Sequence, residues 1–181
     1  MPVNQNIQQF YRQAAARDFS RDFLFRVTSL KLQGVTELGD GDLVYAKTAA
    51  LPGRAITNVA VPYMGLNINV PGAATYPGSE SYPISFYLDA NSNLRNYFER
   101  ASRQLFDDQS STGGYGTPDI DSYIILEQLD KQLEVVPGGK YKLNGVSIRS
   151  IENIGYNIAE GTGNTVPIDV TFAYHFYTVE G

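Results

Sequence analysis

Much of the sequence alternates between apolar and polar residues, which is the pattern of a β-strand with one buried face. The clearest case is the last such segment, where Ile168, Val170 and Phe172 share one face. Both faces of that segment carry apolar side chains, so we expect a strand that is packed on both sides. The alternation predicts seven or eight strands within the segments 23–28, 43–48, 55–63, 66–70, 84–88, 123–129, 140–150 and 168–177.

Glycine and proline residues mark the ends of these segments. Residues 39–41 and 51–53 are typical of turns, and residues 71–72 are expected to end the strand before them. Residues 137–139 (PGG) predict a turn that separates two neighbouring strands. Pro62 has no N–H to donate to a ladder, so it is expected at a sheet edge, a strand end or a bulge.

The N-terminal region has the 3.6-residue period of a short amphipathic helix. Residues 4–17 form this segment, and Asn4 is its expected N-cap. Its apolar positions are Ile7, Phe10, Tyr11 and Ala14. Because so short a helix is marginal alone in water, we expect it to dock on another surface.

A second, longer helix follows the strand at 84–88. Its apolar stripe consists of Leu94, Tyr97, Phe98, Ala101 and Leu105. Asn91 or Asn93 is expected to cap its start. Since a carboxylate is unfavourable at a helix C-terminus, the helix is expected to end before Asp107.

These elements predict a mainly β protein: an antiparallel β-sandwich or barrel with one packed α-helix and a short N-terminal helix. The length of 181 residues fits a single domain, 1–181. Residues 1–20 are expected to form an N-terminal helical arm. Residues 107–122 are expected to form a variable loop, longer than most connections within a domain.

The charge content is low for a domain of this size. Charged residues make up 18% of the chain, against the usual quarter, so part of the surface is expected to lie against partners. The net charge is −5, and residues 107–181 carry eleven acidic but only four basic side chains. This balance disfavours nucleic-acid binding through a basic face. The absence of cysteine excludes disulfides and thiolate metal sites.

Motifs of catalysis and cofactor binding are incomplete. His175 is the only histidine and lies within a strand pattern, and no GxSxG motif is present. The glycines at 138–139 and 161–163 lack the remaining residues of phosphate and dinucleotide loops, and 40–42 (DGD) lacks the later oxygen ligands of an EF-hand. We therefore expect no catalytic residue, no cofactor and no metal, although a pair of glycosidase carboxylates depends on three-dimensional spacing. No transmembrane helix or signal peptide is expected either.

Three consecutive blocks carry a family resemblance: 49–56 (AALPGRAI), 61–65 (VPYMG) and 68–72 (INVPG). In this order they resemble the tail tube proteins of contractile-tailed bacteriophages of the T-even type. That family shows an Ala-Leu-Pro block, a Val-Pro/Gly-Phe/Tyr-Met hairpin and an Ile-Asn-Val-x-Gly return. The flanking segments agree as well, and the match is poorest in 107–122. The flanking segments that agree are 18–21 and 24–27 before the blocks, and 74–76, 84–89 and 95–106 after them.

The resemblance implies a structural protein and not an enzyme. Members of the family form hexameric rings that stack into a hollow tube, with strands of each subunit contributing to an inner barrel. The implied partners are further copies of the chain, the tail sheath protein, baseplate and tail-terminator proteins, and the tape-measure protein. Genomic DNA passes through the lumen without specific binding. The implied location is the virion tail, assembled in the host cytoplasm.

The resemblance also implies two sets of functional residues. The subunit and ring interface would include Leu51, Pro52, Gly53, Arg54, Val61, Pro62, Tyr63, Met64 and Gly65. A negative bore would repel DNA phosphates, and the negative charge of each copy suits this role. The candidate lumen-facing acids are Asp119, Asp121, Asp130 and Asp169.

Two alternatives remain open at this point. The chain has the pattern of a tube protein from a contractile injection or secretion system, or of a baseplate tube initiator, as well as that of a phage tube protein. More remotely, its 13 tyrosines suit a carbohydrate-binding β-sandwich, but it has no tryptophan, which sugar platforms often use.

Overall fold

The chain forms two antiparallel β-sheets that face each other across a shared core. A computed structural model describes residues 7–16, 19–43, 45–114, 116–119, 121–159, 161 and 163–180. The helices are α1 (Ile7–Ala16), α2 (Asp40–Leu43) and α3 (Asn93–Leu105). The strands are β1 (Phe25–Lys31), β2 (Ala46–Thr48), β3 (Ala55–Tyr63), β4 (Leu66–Thr75), β5 (Tyr82–Tyr87), β6 (Phe106–Asp107), β7 (Thr112–Gly113), β8 (Tyr123–Leu129), β9 (Val135–Asn144), β10 (Ser147–Ile151), β11 (Pro167–Ala173) and β12 (Phe176–Glu180).

The first sheet has the strand order β1-β8-β9-β12 and the second has the order β10-β11-β5-β2. Every pairing in both sheets is antiparallel. Two further pairs, β3-β4 and β6-β7, form separate two-stranded sheets. The predicted mainly β, antiparallel sandwich is therefore confirmed.

The core lies between the two sheets and is closed by α3. Phe86 and Phe172 of the second sheet are fully buried, as is Phe98 of α3. The ring of Phe98 lies 5.3 Å from that of Phe86 and 5.9 Å from that of Phe172, centroid to centroid. The hydroxyl of Tyr97 donates to the carbonyl of Leu30 in the first sheet at 3.5 Å. The predicted helix stripe thus contacts both sheets.

The start of α3 differs from the sequence prediction. Ser92, and neither Asn91 nor Asn93, precedes the first helical turn, and it makes no side-chain cap. Instead Asp89 accepts hydrogen bonds from the backbone N–H groups of Asn93 and Leu94, at 3.0 and 3.1 Å. Partial burial alone would raise the pKa of Asp89, but these donated bonds lower it below its ordinary value.

Two predicted strands are in fact interrupted at one corner of the sandwich. The segment 140–150 divides at Gly145 into β9 and β10, and 168–177 divides after Ala173 into β11 and β12. Each division carries the chain from one sheet to the other. Gly145 has φ +67°, and the N–H of His175 donates to the carbonyl of Asn144 at 3.0 Å. Alternation alone missed the corner after Ala173 because the apolar alternation of the sequence runs on to Phe176, although Phe176 is exposed and Tyr177 packs against the core instead.

Turn positions also differ from the prediction. The residues at 137–139 lie inside β9, where Gly139 is buried, and the turn is formed by 130–134. There the carboxylate of Asp130 accepts the N–H groups of Gln132 and Glu134, at 2.8 and 3.0 Å. Side-chain capping of the turn by aspartate therefore outweighs the proline-glycine signal.

Four further boundaries are corrected. The strand predicted over 43–48 is shortened to Ala46–Thr48, because Leu43 ends the short helix α2. The first strand begins at Phe25, while Phe23 lies in a turn and is exposed. Residues 71–72 do not end a strand but lie within β4. Part of the predicted loop 107–122 belongs to the short pair β6-β7. The N-terminal helix is confirmed over Ile7–Ala16, whereas its expected cap, Asn4, lies outside the described residues.

Candidate assembly surfaces

The strands β3 and β4 form a long hairpin that stands apart from the core. The hairpin is inserted between β2 and β5, and no other described strand pairs with it. Every described side chain in it except Ala55 is exposed. Its tip is the two-residue turn of Met64 and Gly65, with φ of +46° and +80°, as in a type I′ turn. A two-stranded hairpin of this kind is marginally stable at best on its own.

One face of this hairpin is entirely apolar. Cross-strand neighbours on it are Val59 with Val70, Val61 with Ile68, and Tyr63 with Leu66. Their exposed fractions run from 43% for Val70 to 69% for Leu66. A contiguous apolar face on a projecting element is typical of a protein–protein contact. We call these six residues the hairpin apolar face.

The opposite face of the hairpin is uncharged and mixes three asparagines with alanine and proline. It carries Asn58, Ala60, Pro62, Asn67, Asn69 and Pro71. The whole segment 55–79 contains no Asp, Glu, Lys or Arg. This long run without charge is the sequence signal that would have marked the hairpin as a contact element, and the alternation pattern alone did not reveal it.

The base of the hairpin contains a bulge that requires glycine. The pairing register shifts between Ile56 and Asn58. A Cβ on Gly72 would lie 2.8 Å from Oγ1 of Thr57, and that hydroxyl donates to the carbonyl of Ala73 at 3.0 Å. Such a bulge increases the local twist and aims the outer part of the hairpin.

The predicted interface residues lie at the two ends of β3. Leu51 to Arg54 form the segment that leads into the hairpin, and Val61 to Gly65 form its tip. Only six strand residues, 55–60, lie between the two groups, and they span about 20 Å. Leu51 is 46% exposed and Met64 is 87% exposed. The second group thus lies on the hairpin and the first lies just before it, and the role of both in subunit contact stays a prediction.

The four candidate lumen acids lie in three different places. Asp119 and Asp121 precede β8, whereas Asp130 follows it, so the length of that strand separates them. Asp169 lies on β11 in the second sheet, where it accepts a hydrogen bond from the hydroxyl of Ser85. The structure does not gather them into one cluster, and their place in a bore stays a prediction.

The helix α1 is a second uncovered apolar element, which the sequence prediction expected to be docked. Ile7, Phe10 and Tyr11 are all more than half exposed. The rings of Phe10 and Tyr11 contact each other edge to face, with centroids 6.2 Å apart. The apolar stripe of this helix is therefore not covered by the described sandwich.

The described residues include one contact between a serine and a carboxylate that is relevant to catalysis. The hydroxyl of Ser29 donates to Glu37, which lowers the pKa of that carboxyl, with a smaller contribution from Tyr123. A serine–carboxylate pair needs a base such as histidine to become a nucleophile, and the only histidine, His175, is exposed at the β11–β12 turn. Within the described ranges no group of three or more His, Asp or Glu side chains is arranged to bind a metal ion. No described helix is long and apolar enough to cross a membrane.

No protein-family model and no curated protein matches the chain. Solved structures do match it. A chain of the anti-feeding prophage baseplate, a six-fold symmetrised cryo-EM structure, has a TM-score of 0.59 at 12% identity and covers 91% of this chain and 97% of that one. A chain of the sheath/tube terminator of the PVC extracellular contractile injection system has a TM-score of 0.57 at 8% identity, covering 91% and 99%.

A chain of the PVC sheath–tube complex has a TM-score of 0.54 at 10% identity and covers 94% of this chain and 97% of that one. The chain has the fold of subunits from contractile injection particles. Because the matches extend over nearly the full length of both partners, the shared fold includes both sheets and α3. At identities this low the likeness concerns the fold.

Proposed function

We propose that the chain is a structural subunit of the tail tube of a contractile-tailed phage of the T-even type. In this proposal six copies form a ring, and rings stack into a hollow conduit for DNA inside a contractile sheath. The observation that carries it is the hairpin apolar face, which its own chain leaves exposed. The fold shared with chains of sheath–tube and baseplate structures supports the same conclusion.

The protein would act by assembly and without turnover. Head-to-tail contacts between different surfaces generate closed rings and, by stacking, filaments. The two outer strands of each sheet provide edges for lateral contact, and sharing them removes edges that would otherwise aggregate. The hairpin would cover its apolar face against another subunit or ring. Sheath, baseplate and terminator proteins would contact the outside and the ends of the tube.

The bore of such a tube would be lined in part by acids. Each copy carries a net charge of −5, so a ring of six repels phosphate and lets DNA and the tape-measure protein pass without sticking. Asp119, Asp121, Asp130 and Asp169 remain the candidate lining residues in this proposal. The particle would be the virion tail, assembled in the host cytoplasm.

Negative-stain electron microscopy of the purified chain tests the proposal. We expect rings or tubes whose amount rises with protein concentration. Met64→Asp and Leu51→Asp should remain folded but lose assembly. A monodisperse monomer at high concentration, without rings in the images, would contradict the proposal, and normal tubes from both variants would remove these two residues from the interface.

A neighbouring function is favoured by the terminator and baseplate matches. The chain would then be a tube-like component at one end of the tube, or a tube protein of a contractile injection system. Single rings that do not elongate would favour an end component, whereas long tubes favour the tube subunit. Saturable binding in a glycan screen, with no assembly, would instead favour a carbohydrate-binding sandwich.

A further inference from the structure

The first sheet carries a row of alternating charge that no catalytic or packing role explains. Cross-strand partners place Arg26 of β1 opposite Glu127 of β8, Glu127 opposite Lys140 of β9, and Lys140 opposite Glu180 of β12. Directly paired residues point to the same face of a sheet. The four side chains therefore form one row across all four strands, in the order positive, negative, positive, negative. We call it the charge row.

Ion pairs hold the charge row together within the chain. Nε of Arg26 lies 2.7 Å from Oε2 of Glu127, and Nζ of Lys140 lies 3.0 Å from Oε2 of Glu180. Glu127, inside the row, is only 10% exposed, while Arg26 and Glu180 at its ends are 47% and 42% exposed. The two ends of the row are thus accessible, and they have opposite signs.

The ends of the charge row coincide with the two open edges of the sheet. β1 and β12 are the outer strands, and because each successive pairing is antiparallel, β1 and β12 run in opposite directions. A second copy could therefore add its β1 to β12 with antiparallel pairing. Leu38 exchanges backbone hydrogen bonds with Leu30 and covers that part of the β1 edge, whereas no described strand covers the part around Arg26.

We propose that Glu180 of one copy pairs with Arg26 of the next copy, so that the charge row continues across the subunit boundary and selects a second copy of this chain as lateral partner. This inference rests on the proposed function, because it names the contact that would close the ring. The bond from Arg26 to Glu127 uses Nε, one of five N–H donors of a guanidinium, so the group can bind a second carboxylate. The carboxylate of Glu180 likewise has several acceptor positions.

The pair also gives the contact its direction and its register. β1 meeting a second β1 would oppose two arginines, and β12 meeting a second β12 would oppose two glutamates. Only the head-to-tail contact joins opposite signs, and such a contact generates a ring and not a two-fold dimer. Like charges placed directly opposite on neighbouring strands are destabilising, so incorrect contacts are disfavoured.

Disulfide cross-linking tests the adjacency directly, because the chain has no cysteine. Opposed residues on neighbouring antiparallel strands have Cα distances within the range that a disulfide accepts. The double variant Arg26→Cys with Glu180→Cys, oxidised after assembly, should give a ladder of covalent oligomers ending at the ring. A mixture of the two single variants should give covalent dimers only, since one direction of contact carries both cysteines.

Charge reversal tests the electrostatic part with a matched control. Glu180→Lys should raise the protein concentration needed for assembly at least tenfold, and the difference should shrink at high salt. Glu99→Lys makes the same change in net charge on α3, at an ion-paired glutamate with 40% exposure against 42% for Glu180. The control should assemble as the unmodified chain does. Thermal unfolding of each variant separates lost assembly from lost folding.

The outcomes distinguish this inference from the proposed function. Rings that form without any cross-link between positions 26 and 180, or that tolerate Glu180→Lys as well as Glu99→Lys, overturn the lateral pair and leave the tube proposal standing. Cross-linked dimers that never close into rings support the pair and contradict the tube. If the unmodified chain forms no assembly and the double-cysteine variant forms no cross-link, both are overturned.

Discussion

Two strands of this protein, β11 and β4, have similar patterns and opposite surroundings. Ile168, Val170 and Phe172 of β11 are at most 1% exposed. The other face of β11 is not buried and Asp169 on it is exposed, so the predicted packing on both faces is wrong within this chain. Ile68 and Val70 of β4 have the same spacing, yet they are 51% and 43% exposed. The difference lies in what faces each strand: β11 faces the first sheet and α3, whereas the described residues provide no second layer over β4.

The comparison shows that alternation predicts an apolar face but not whether the same chain or another molecule covers that face. In β11 the covering layer comes from the same chain. In the hairpin the same pattern is combined with a run of 25 residues, 55–79, that has no charge on either face. A solvent-facing strand normally carries charged or strongly polar residues on its outer side. The absence of charge therefore distinguishes a strand face that contacts another molecule from one that faces water.

The largest expected effect comes from placing a carboxylate on β11. Ile168→Asp should abolish the folded state, because burying an unpaired carboxylate costs several kcal/mol, a large share of the about 5–15 kcal/mol that stabilises a domain. Circular dichroism and gel filtration of dilute protein would show loss of cooperative unfolding. A folded Ile168→Asp variant with unchanged melting temperature would contradict the burial of β11 by its own chain.

The matched change on the hairpin should have a different consequence. Ile68→Asp replaces the same residue type on the hairpin apolar face. Because this position is exposed, the free energy of unfolding of dilute protein should fall by less than about 1 kcal/mol, with a correspondingly small shift in melting temperature. Assembly into rings or tubes should be lost, because the contact would bury a carboxylate. Sedimentation velocity over a concentration series measures this. Assembly equal to that of the unmodified chain would show that the face is not a contact.

The sequence predicted the architecture well where one face of each element is covered by the same chain. The stripe of α3 and the strands that form the two sheets follow from periodicity, since burial of one face imposes the period. The corners at Gly145 and after Ala173 were missed for a physical reason. The apolar alternation of 168–176 runs on through the corner after Ala173, although Phe176 beyond it is exposed and Tyr177 packs against the core. The sequence pattern therefore does not mark where the chain passes from one sheet to the other.

The assembly surfaces could be predicted only in part. The resemblance named Leu51 to Arg54 and Val61 to Gly65 as one interface, whereas the structure places the second group at the tip of the hairpin and the first in the segment before β3. The charge row could not be predicted from the sequence, because Arg26, Glu127 and Glu180 are distant along the chain and are brought into one row only by the strand order. Candidate acids such as Asp121 and Asp130 look close in sequence but are separated by the length of β8.

A smaller effect is expected from glycines with left-handed backbone. Gly145 has φ +67°, and an added Cβ would lie 2.1 Å from Cδ2 of His175. Gly145→Ala should therefore cost about 1–2 kcal/mol from backbone strain, and the imidazole must also move. Gly65, at φ +80°, has no atom within 4 Å of such a Cβ. Because the hairpin is not packed on the core, Gly65→Ala should leave the main thermal transition unchanged, and equal shifts for both variants would contradict this separation.

The smallest effect concerns the carboxylate that caps α3. Asp89→Ala removes the acceptor for the N–H groups of Asn93 and Leu94 and should cost about 1 kcal/mol near neutral pH. The pKa of Asp89 is lowered in the folded state, so its contribution is present above the ordinary unfolded value near 4 and is lost as the pH falls through the folded pKa. Urea unfolding at several pH values should therefore show the difference between Asp89→Ala and the unmodified chain shrinking in acid. Asp108→Ala, at an exposed position after α3, serves as the control and should change little at any pH. A difference for Asp89→Ala that stays constant down to the most acidic conditions would mean that packing, and not the charged cap, sets the start of α3.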